Sequence, residues 1–445
     1  MTASSIWSQF ETKAIKHVAL VQSSNVDKVV DAGELSIQLC NYVDVYYNDR
    51  ITDRISFSGG SAKPREIEKF ALRSGDVLIT KDSETPDDIA VPALVDESAA
   101  GVVCGYHLAI IRAQPAIIRG DFLFWCLKSR PVMEAFSTRA QGITRYGLTL
   151  GGIGSVLVPT PEIQIQKGIA EFLSRETSRI DALIDKKERL LALLEEKKRT
   201  ESVLAVTRGL HPSVQLQSTG LAWLPQAPAH WRVRRIAALF REVNDRGDSD
   251  LPVLSVSIHH GISDRELEDE ERDRKVVQIE DKTFYKRVRP GDLTYNMMRA
   301  WQGACGVATV DGLVSPAYVT ARPLENIHSP YFESLLRTKN CIEEMRKASK
   351  GVADFRLRLY WEHFRQVGVV LPPLNEQVNI AKYLLERKGR FEAIEKPIAA
   401  SIDRLREFRS ALITAAVTGQ MDIATWRKRW PADSHIDAVA AEMRV

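Results

Sequence analysis

Pro161-Glu-Ile-Gln-Ile-Gln-Lys-Gly-Ile-Ala170 returns near the C-terminus as Pro372-Pro-Leu-Asn-Glu-Gln-Val-Asn-Ile-Ala381, with each position of the second copy 211 residues after its counterpart. The register holds without a gap. Gln166 matches Gln377, Ile169 matches Ile380, Phe172 matches Tyr383, Leu173 matches Leu384, and Ala205-Val-Thr207 matches Ala416-Val-Thr418. Two copies of so long a unit do not make a solenoid, whose repeats run about 20 to 50 residues. A duplicated domain followed by a helix fits better. A chain ordered as globular unit, helix, globular unit, helix can close about an approximate two-fold axis and present two similar surfaces. That geometry suits a bipartite target.

The segment after the first copy changes character. From about 174 to 208 it has no proline or glycine, and Ile180, Leu183, Leu190, Leu194 and Leu204 recur at heptad-like spacing among charges. At about 1.5 Å per residue, such a helix reaches roughly 50 Å. The second copy carries Phe391, Ile394, Ile398, Leu405, Phe408 and Leu412 on one face. Matching seams, with one helix leaving the first globular unit and the other following the second, predict an antiparallel two-stranded coiled coil. Pro397 predicts a kink or a restart in the second helix.

The flanking regions read as α+β. Val77–Thr80, Gly101–Cys104 and Leu108–Ile111 are strand-like, Arg73-Ser-Gly-Asp76 is turn-like, and Asp121 is an expected N-cap for the apolar run Phe122–Leu127. Prolines between His211 and Trp231 mark a boundary, after which the landmarks recur with small gaps. Trp231…Ile236 echoes Phe10…Ile15, Arg289-Pro-Gly-Asp292 echoes Arg73–Asp76, and Gly351-Val-Ala-Asp-Phe-Arg-Leu357 echoes Gly142-Ile-Thr-Arg-Tyr-Gly-Leu148. The expected layout is therefore globular 1–160, helical 161–209, globular 210–370, helical 371–424 and a tail 425–445: two similar α+β domains separated by two long helices.

With 44% hydrophobic and 27% charged residues in 445, the chain has ordinary globular usage, and its net charge of only +3 confines any nucleic-acid surface to local patches. Five scattered cysteines, without a Cys-x-x-Cys pair or histidines at ligand spacing, predict neither a zinc site nor a disulfide framework. Neither a signal peptide nor an apolar run of about 18 residues is found, so the chain reads as cytoplasmic, with no membrane span and with reduced thiols.

Enzyme signatures are missing. There is no phosphate loop, and Gly151-Gly-Ile-Gly154 precedes the strand-like Ser155–Val158, whereas a dinucleotide loop must follow a strand; it reads as a turn. Pro372-Pro373 lacks the polar residue and the stacking ring that an amino-methyltransferase loop needs. Glu271-Arg-Asp-Arg-Lys275 reads as a solvated acidic loop, and His259-His260, if on a strand, point to opposite faces. The chain is expected to catalyse nothing alone.

What is present is a repertoire for phosphate contact and base-edge reading. In the first domain the candidates are Lys63, Arg65, Lys81, Arg139, Gln141, Thr144, Arg145 and Tyr146. In the second they are His259, His260, Asn296, Arg299, Trp301, Gln302, Lys350, Arg356 and Arg358. Arginine offers guanine a bidentate fork, and Asn and Gln pair with the edge of adenine. A competing reading is a structural adaptor whose paired helices recruit proteins without binding DNA. A third, an active site split across the halves, finds no convergent carboxylates or nucleophile–base pair to support it.

The paired Pro-x-x-x-x-Gln-x-x-Ile-Ala-x-aromatic-Leu openings, the helices after them, the Ala-Val-Thr endings, Gly220-Leu-Ala-Trp-Leu-Pro…His-Trp231 and Leu254-Ser-Val-Ser-Ile-His-His-Gly261 together resemble the specificity (HsdS) subunits of type I restriction-modification systems. The resemblance covers essentially the whole chain. It implies that each globular unit is a target-recognition domain for one half of a split double-stranded DNA sequence. It also implies that the helices set the spacing and dock two modification subunits. Methyl transfer from S-adenosylmethionine then belongs to those partners, and ATP- and Mg-dependent cleavage to restriction subunits where they are present. Two departures stand out. Glu162 replaces the second proline, and Thr207-Arg208 lacks the glycine that follows Thr418, so the helix ends are expected to differ.

Overall fold

The computed structural model describes residues 9–246, 250–267, 282–324, 326–352 and 356–423. The Glu271–Lys275 run and the 425–445 tail lie outside the described residues. The chain forms two compact units, one made of residues up to Arg189 together with those from Pro397 onward, the other of Leu190–Lys396. Each unit thus takes part of both long helices, Ile163–Arg208 and Leu374–Val417.

In the first unit the strand Thr12–Ala14 pairs with Leu157–Pro159, and a one-turn helix Ile15–Val18 leads into the main sheet. That sheet orders its strands Ala19–Ser23, Leu108–Ala113, Val77–Thr80, Pro92–Val95 and Arg50–Ile51. The helices Gly120–Leu127 and Arg130–Ser137 follow. The second unit repeats the plan. Arg232–Arg235 pairs with Gly368–Leu371, Ile236–Leu239 is the one-turn helix, and the strands Phe240–Val243, Tyr318–Pro323, Leu293–Asn296 and Cys305–Val307 lie in that order, followed by the helices Ser329–Leu336 and Lys339–Ala348.

The echoes in sequence are structural devices. Gly75 and Gly291 adopt φ of +84° and +92°, which glycine accepts without a steric penalty, so Arg73–Asp76 and Arg289–Asp292 turn tightly. The closing carboxylate accepts the first N–H of its own turn, Arg73 at 2.8 Å and Arg289 at 3.0 Å. The repeated glutamine is buried in both copies. Gln166 accepts from the Arg119 N–H and donates to the carbonyls of Ile117 and Pro161; Gln377 accepts from the His328 N–H and donates to Pro372. Each long helix is thereby bonded, at its start, to the loop before its own domain's helix pair.

The two long helices pair in both units, and they run antiparallel. In the first unit Arg409 meets Asp181 at 2.8 Å and Arg406 meets Glu188 at 2.7 Å; in the second Lys198 meets Glu395 at 3.7 Å and Arg387 meets Glu201. Partner numbers fall on one helix as they rise on the other. The seam is shifted from the expected one. Ile180, Phe391, Leu405 and Leu412 are buried and Leu183, Leu194 and Ile398 half-buried, but Leu190, Ile394 and Phe408 are 45%, 49% and 38% exposed, and Leu204 is exposed as well. Ile184 and Ile402 are buried instead. A single heptad phase does not hold because each helix packs on a globular core at one end and on its partner along the rest.

Four local expectations change. Pro397 starts no new helix but lies inside Leu374–Val417; it is exposed, where water can satisfy the carbonyl that its ring leaves without an N–H donor. Arg119, not Asp121, is the N-cap of Gly120–Leu127, and Asp121 accepts from the Phe122 N–H within the first turn. Gly151–Gly154 belongs to a short helix, Leu150–Gly154, capped by the Thr149 hydroxyl. The helix ends are alike, since Gly209 and Gly419 adopt φ of +76° and +75° one residue out of register with the repeat. A Cβ on Gly209 would lie 3.3 Å from Trp231, and one on Gly419 would lie 2.7 Å from Phe10. Among the described residues no helix is long and apolar enough to cross a membrane.

Candidate nucleic-acid interface

In the first unit Gln141 and Gly147 exchange backbone hydrogen bonds of 3.0 and 2.9 Å and close a short loop between them. Gly142, at φ +147°, makes the closure possible, because a Cβ there would lie 1.9 Å from the Arg145 carbonyl oxygen. Ile143 is 92% exposed at the tip, and Gln141, Thr144 and Arg145 are exposed beside it. Tyr146 pairs with Ser83 and Gly147 with Asp82, which docks the loop on the main chain after Thr80.

The docking brings in residues that sequence reasoning missed. The Asp82 carboxylate pairs with His107 Nδ1 and lies 4.0 Å from the Arg145 guanidinium. The His107 ring lies against Tyr106, their centroids 3.7 Å apart. On the helix Tyr42–Tyr46, four-residue spacing stacks Tyr42 on Tyr46 at 5.5 Å, and Tyr47 meets Tyr46 edge-on at 5.0 Å. Asp88 accepts from the Tyr46 hydroxyl at 2.7 Å and pushes it up to about 12. Burial raises Tyr42, and the Arg145 charge opposes that rise. Arg145, Asp82 and the tyrosines therefore share one electrostatic environment. The run Tyr42-Val-Asp-Val-Tyr-Tyr47 was the available signal, being aromatic at helical spacing.

Two first-domain candidates are committed within the fold. The Lys81 ammonium donates to Ser23 Oγ at 2.8 Å and to the Tyr106 carbonyl at 3.1 Å, and the Arg139 guanidinium donates to the Ala135 carbonyl at 2.7 Å and to Ser155 Oγ at 3.0 Å. Lys63 and Arg65 stand exposed at the start of a separate helix, Pro64–Phe70.

The second unit builds a counterpart of the loop. Lys350 and Arg358 exchange backbone hydrogen bonds of 2.9 Å, Gly351 again faces a backbone carbonyl at 2.6 Å from its would-be Cβ, and Val352 is 99% exposed. Lys350, Arg356 and Arg358 are exposed. A second loop, Asn296–Ala304, is shaped by its own polar atoms. Asn296 Oδ1 accepts the Met298 N–H at 3.0 Å, and Trp301 Nε1 donates to the Met298 carbonyl at 2.9 Å, with the Arg346 guanidinium 5.9 Å from the indole. Arg299 is half-buried and Gln302 exposed.

His259 and His260 do not alternate across a strand. They sit in the turn between Val256–Ser257 and Gly261–Ile262, both exposed, and both backbone N–H groups donate to Ser257 Oγ. Rings, guanidinium groups and amides projecting from loops that a sheet holds in place can stack on bases and bond their edges.

No protein-family model matches the sequence, and no curated protein matches it. Solved structures do. A chain from a structure of complex assembly and conformational transition in the type I R-M system superposes with a TM-score of 0.66 at 17% identity, over 93% of this chain and 98% of that one. The chain has the fold of a type I specificity subunit. The HsdS subunit from Thermoanaerobacter tengcongensis gives a TM-score of 0.50 at 18% identity, over 93% and 97% of the two chains. In the specificity-subunit fold of this chain, the backbone closures Gln141–Gly147 and Lys350–Arg358 each come directly before a buried leucine, Leu148 and Leu359.

Proposed function

We propose that this chain is the sequence-specific DNA-recognition subunit of a type I restriction-modification complex, with each unit reading one half of a bipartite, asymmetric target. The observation that carries the reading is the recurrence of one closure, a pair of backbone bonds beside an exposed Gly142-Ile143 or Gly351-Val352, in two units built to the same plan. The loops differ in content. Gln141, Thr144, Arg145 and Tyr146 stand in one and Lys350, Arg356 and Arg358 in the other, so the half-sites differ. In this reading the chain is not itself a catalyst. S-adenosylmethionine chemistry resides in two modification subunits, and ATP with Mg serves restriction subunits where these join.

The paired helices support partner docking. Leu190, Leu193, Leu204, Leu385 and Ile394 are apolar and between 45% and 72% exposed, more than a free helix surface needs. Docked proteins would cover them. The helices also set the half-site spacing, since loops seated in the major groove must keep step with the duplex turn. Methylome sequencing of a host carrying this chain and its modification partner tests the whole reading. A split, asymmetric adenine motif is the expected result, and whole helical turns inserted into both helices lengthen its gap while the half-sites stay the same. Altered half-sites would defeat the spacing role. Partner binding without any methylation motif would favour the adaptor instead.

A further inference from the structure

The hairpin that carries His259 and His260 is short, two paired residues on each side, and its shape is imposed by a neighbouring helix. Arg337, the C-cap of Ser329–Leu336, donates through Nη2 to the carbonyls of Ile258 (2.8 Å) and His259 (2.6 Å) and through Nη1 to that of Cys305 (3.0 Å). Glu333, one helical turn earlier, accepts the Val307 N–H at 2.9 Å. The two side chains thus bond the hairpin turn and the strand Cys305–Val307 to one helix face. Contact is tight on both sides. A Cβ on Gly261, itself at φ +77°, would lie 2.5 Å from Glu333 Oε1, and a Cβ on Gly306 would lie 2.4 Å from the Ile262 nitrogen. Burial holds the Glu333 carboxyl above its ordinary range, and the Val307 N–H and the Arg337 charge oppose that rise.

We propose that Arg337 and Glu333 are positioning residues that fix the base-reading geometry of the His259-His260 hairpin, and so set the sequence preference of one half-site and not the other. The inference rests on the DNA-reading role proposed above. A guanidinium reaching two carbonyls of the turn and one of the strand Cys305–Val307 locates the turn more closely than a hairpin with two paired residues on each side can locate itself.

The test maps methylation by the full chain and its modification partner in variants Arg337→Ala, Arg337→Lys, Glu333→Gln and Gly261→Ala, with His259→Ala/His260→Ala as the control. Arg337→Ala is expected to lower methylation of the intact motif about tenfold, by loss of charged hydrogen bonds, and to add sites degenerate in one half only. Arg337→Lys recovers part of the loss, and Glu333→Gln, which keeps the acceptor for Val307, stays within about threefold of the parent. Gly261→Ala, which keeps both charged residues but presses a Cβ against Glu333, relaxes the same half. A control that relaxes one half while Arg337→Ala and Gly261→Ala leave that half intact overturns the positioning role and spares the reading. A control that leaves both halves intact overturns the reading role of the hairpin, and the inference with it. Equal loss in both halves with a lowered Tm makes Arg337 a stability residue only and also overturns the proposal.

Discussion

Arg112 grips Asp76 through two hydrogen bonds, Nε to Oδ1 at 2.8 Å and Nη2 to Oδ2 at 2.6 Å, around a carboxylate that is 2% exposed. Arg322 holds Asp292 in the same way at 2.9 Å for both bonds, and the second carboxylate is 1% exposed. Removing one partner strands a buried charge. Asp76→Ala is therefore expected to cost about 3 to 5 kcal/mol, read as a fall in Tm of about 10 °C, and Asp292→Ala less, because Arg322 keeps Asp245 at 3.0 Å. Replacement of a whole pair by apolar residues should cost far less, and equal losses for single and paired changes would count against a buried-charge origin.

Gln166 and Gln377 have a different weak point. Each buried amide bonds backbone groups at the start of its helix, so Gln166→Met and Gln377→Met, close in shape, are expected to lose about 2 to 4 kcal/mol through unpaired buried polar groups. Urea unfolding at an unchanged m-value checks this. Gln166 makes one bond more than Gln377, and its variant should be the less stable of the two.

Arg145 distinguishes two kinds of contact. If it meets a phosphate, Arg145→Ala reduces the slope of log K against log salt by about 1 and weakens all sequences alike. Its place near Asp82, whose charge would repel a phosphate, favours a base edge instead. The expected outcome is relaxed methylation at one position, with the salt slope nearly unchanged. Fluorescence anisotropy of the assembled complex across a salt series measures both.

The loop closure itself is testable at Gly142. Alanine there must take a left-handed φ of +147° and meet the Arg145 carbonyl, so Gly142→Ala should open the loop. Reading of one half-site is expected to fall about tenfold, with global stability lowered by only about 1 to 2 kcal/mol, since the loop tip is solvent-exposed. A methylation assay paired with a thermal melt separates the two effects.

His328 gives a pH dependence with a definite sign. Burial lowers its pKa below the ordinary imidazole value of 6.5. Above that value both folded and unfolded states are neutral there. As pH falls through it, the unfolded chain binds a proton that the folded chain does not, and stability declines until the lower folded value is passed. His328→Gln should flatten that part of the stability–pH curve, as denaturant midpoints between pH 7 and 5 would show.

Much of the plan was legible because it is written twice. Gln166 with Gln377, Gly75-Asp76 with Gly291-Asp292, and the paired Gly-apolar loops recur since the same turn or bond needs the same residue in each unit. The seam was less legible. Leu190, Ile394 and Phe408 fit a heptad yet lie exposed, because one-dimensional spacing cannot tell a partner helix from a globular core or from a surface awaiting another protein. Lys81 and Arg139 looked like phosphate ligands, but Ser23 and Tyr106, far away in sequence, hold the first, and the preceding helical turn at Ala135 together with Ser155 holds the second.

The sequence by itself determined the duplication, the long helices and the turn glycines, since these depend on local periodicity and on conformations only certain residues adopt. Tertiary structure alone decided that Asp82, Arg145, His107 and the Tyr42–Tyr47 rings share one face, and that Arg337 holds the His259-His260 hairpin from 78 residues away. Contacts between groups so far apart along the chain exist only once the sheet is formed, because it is the pairing of distant strands that brings their loops to the same edge.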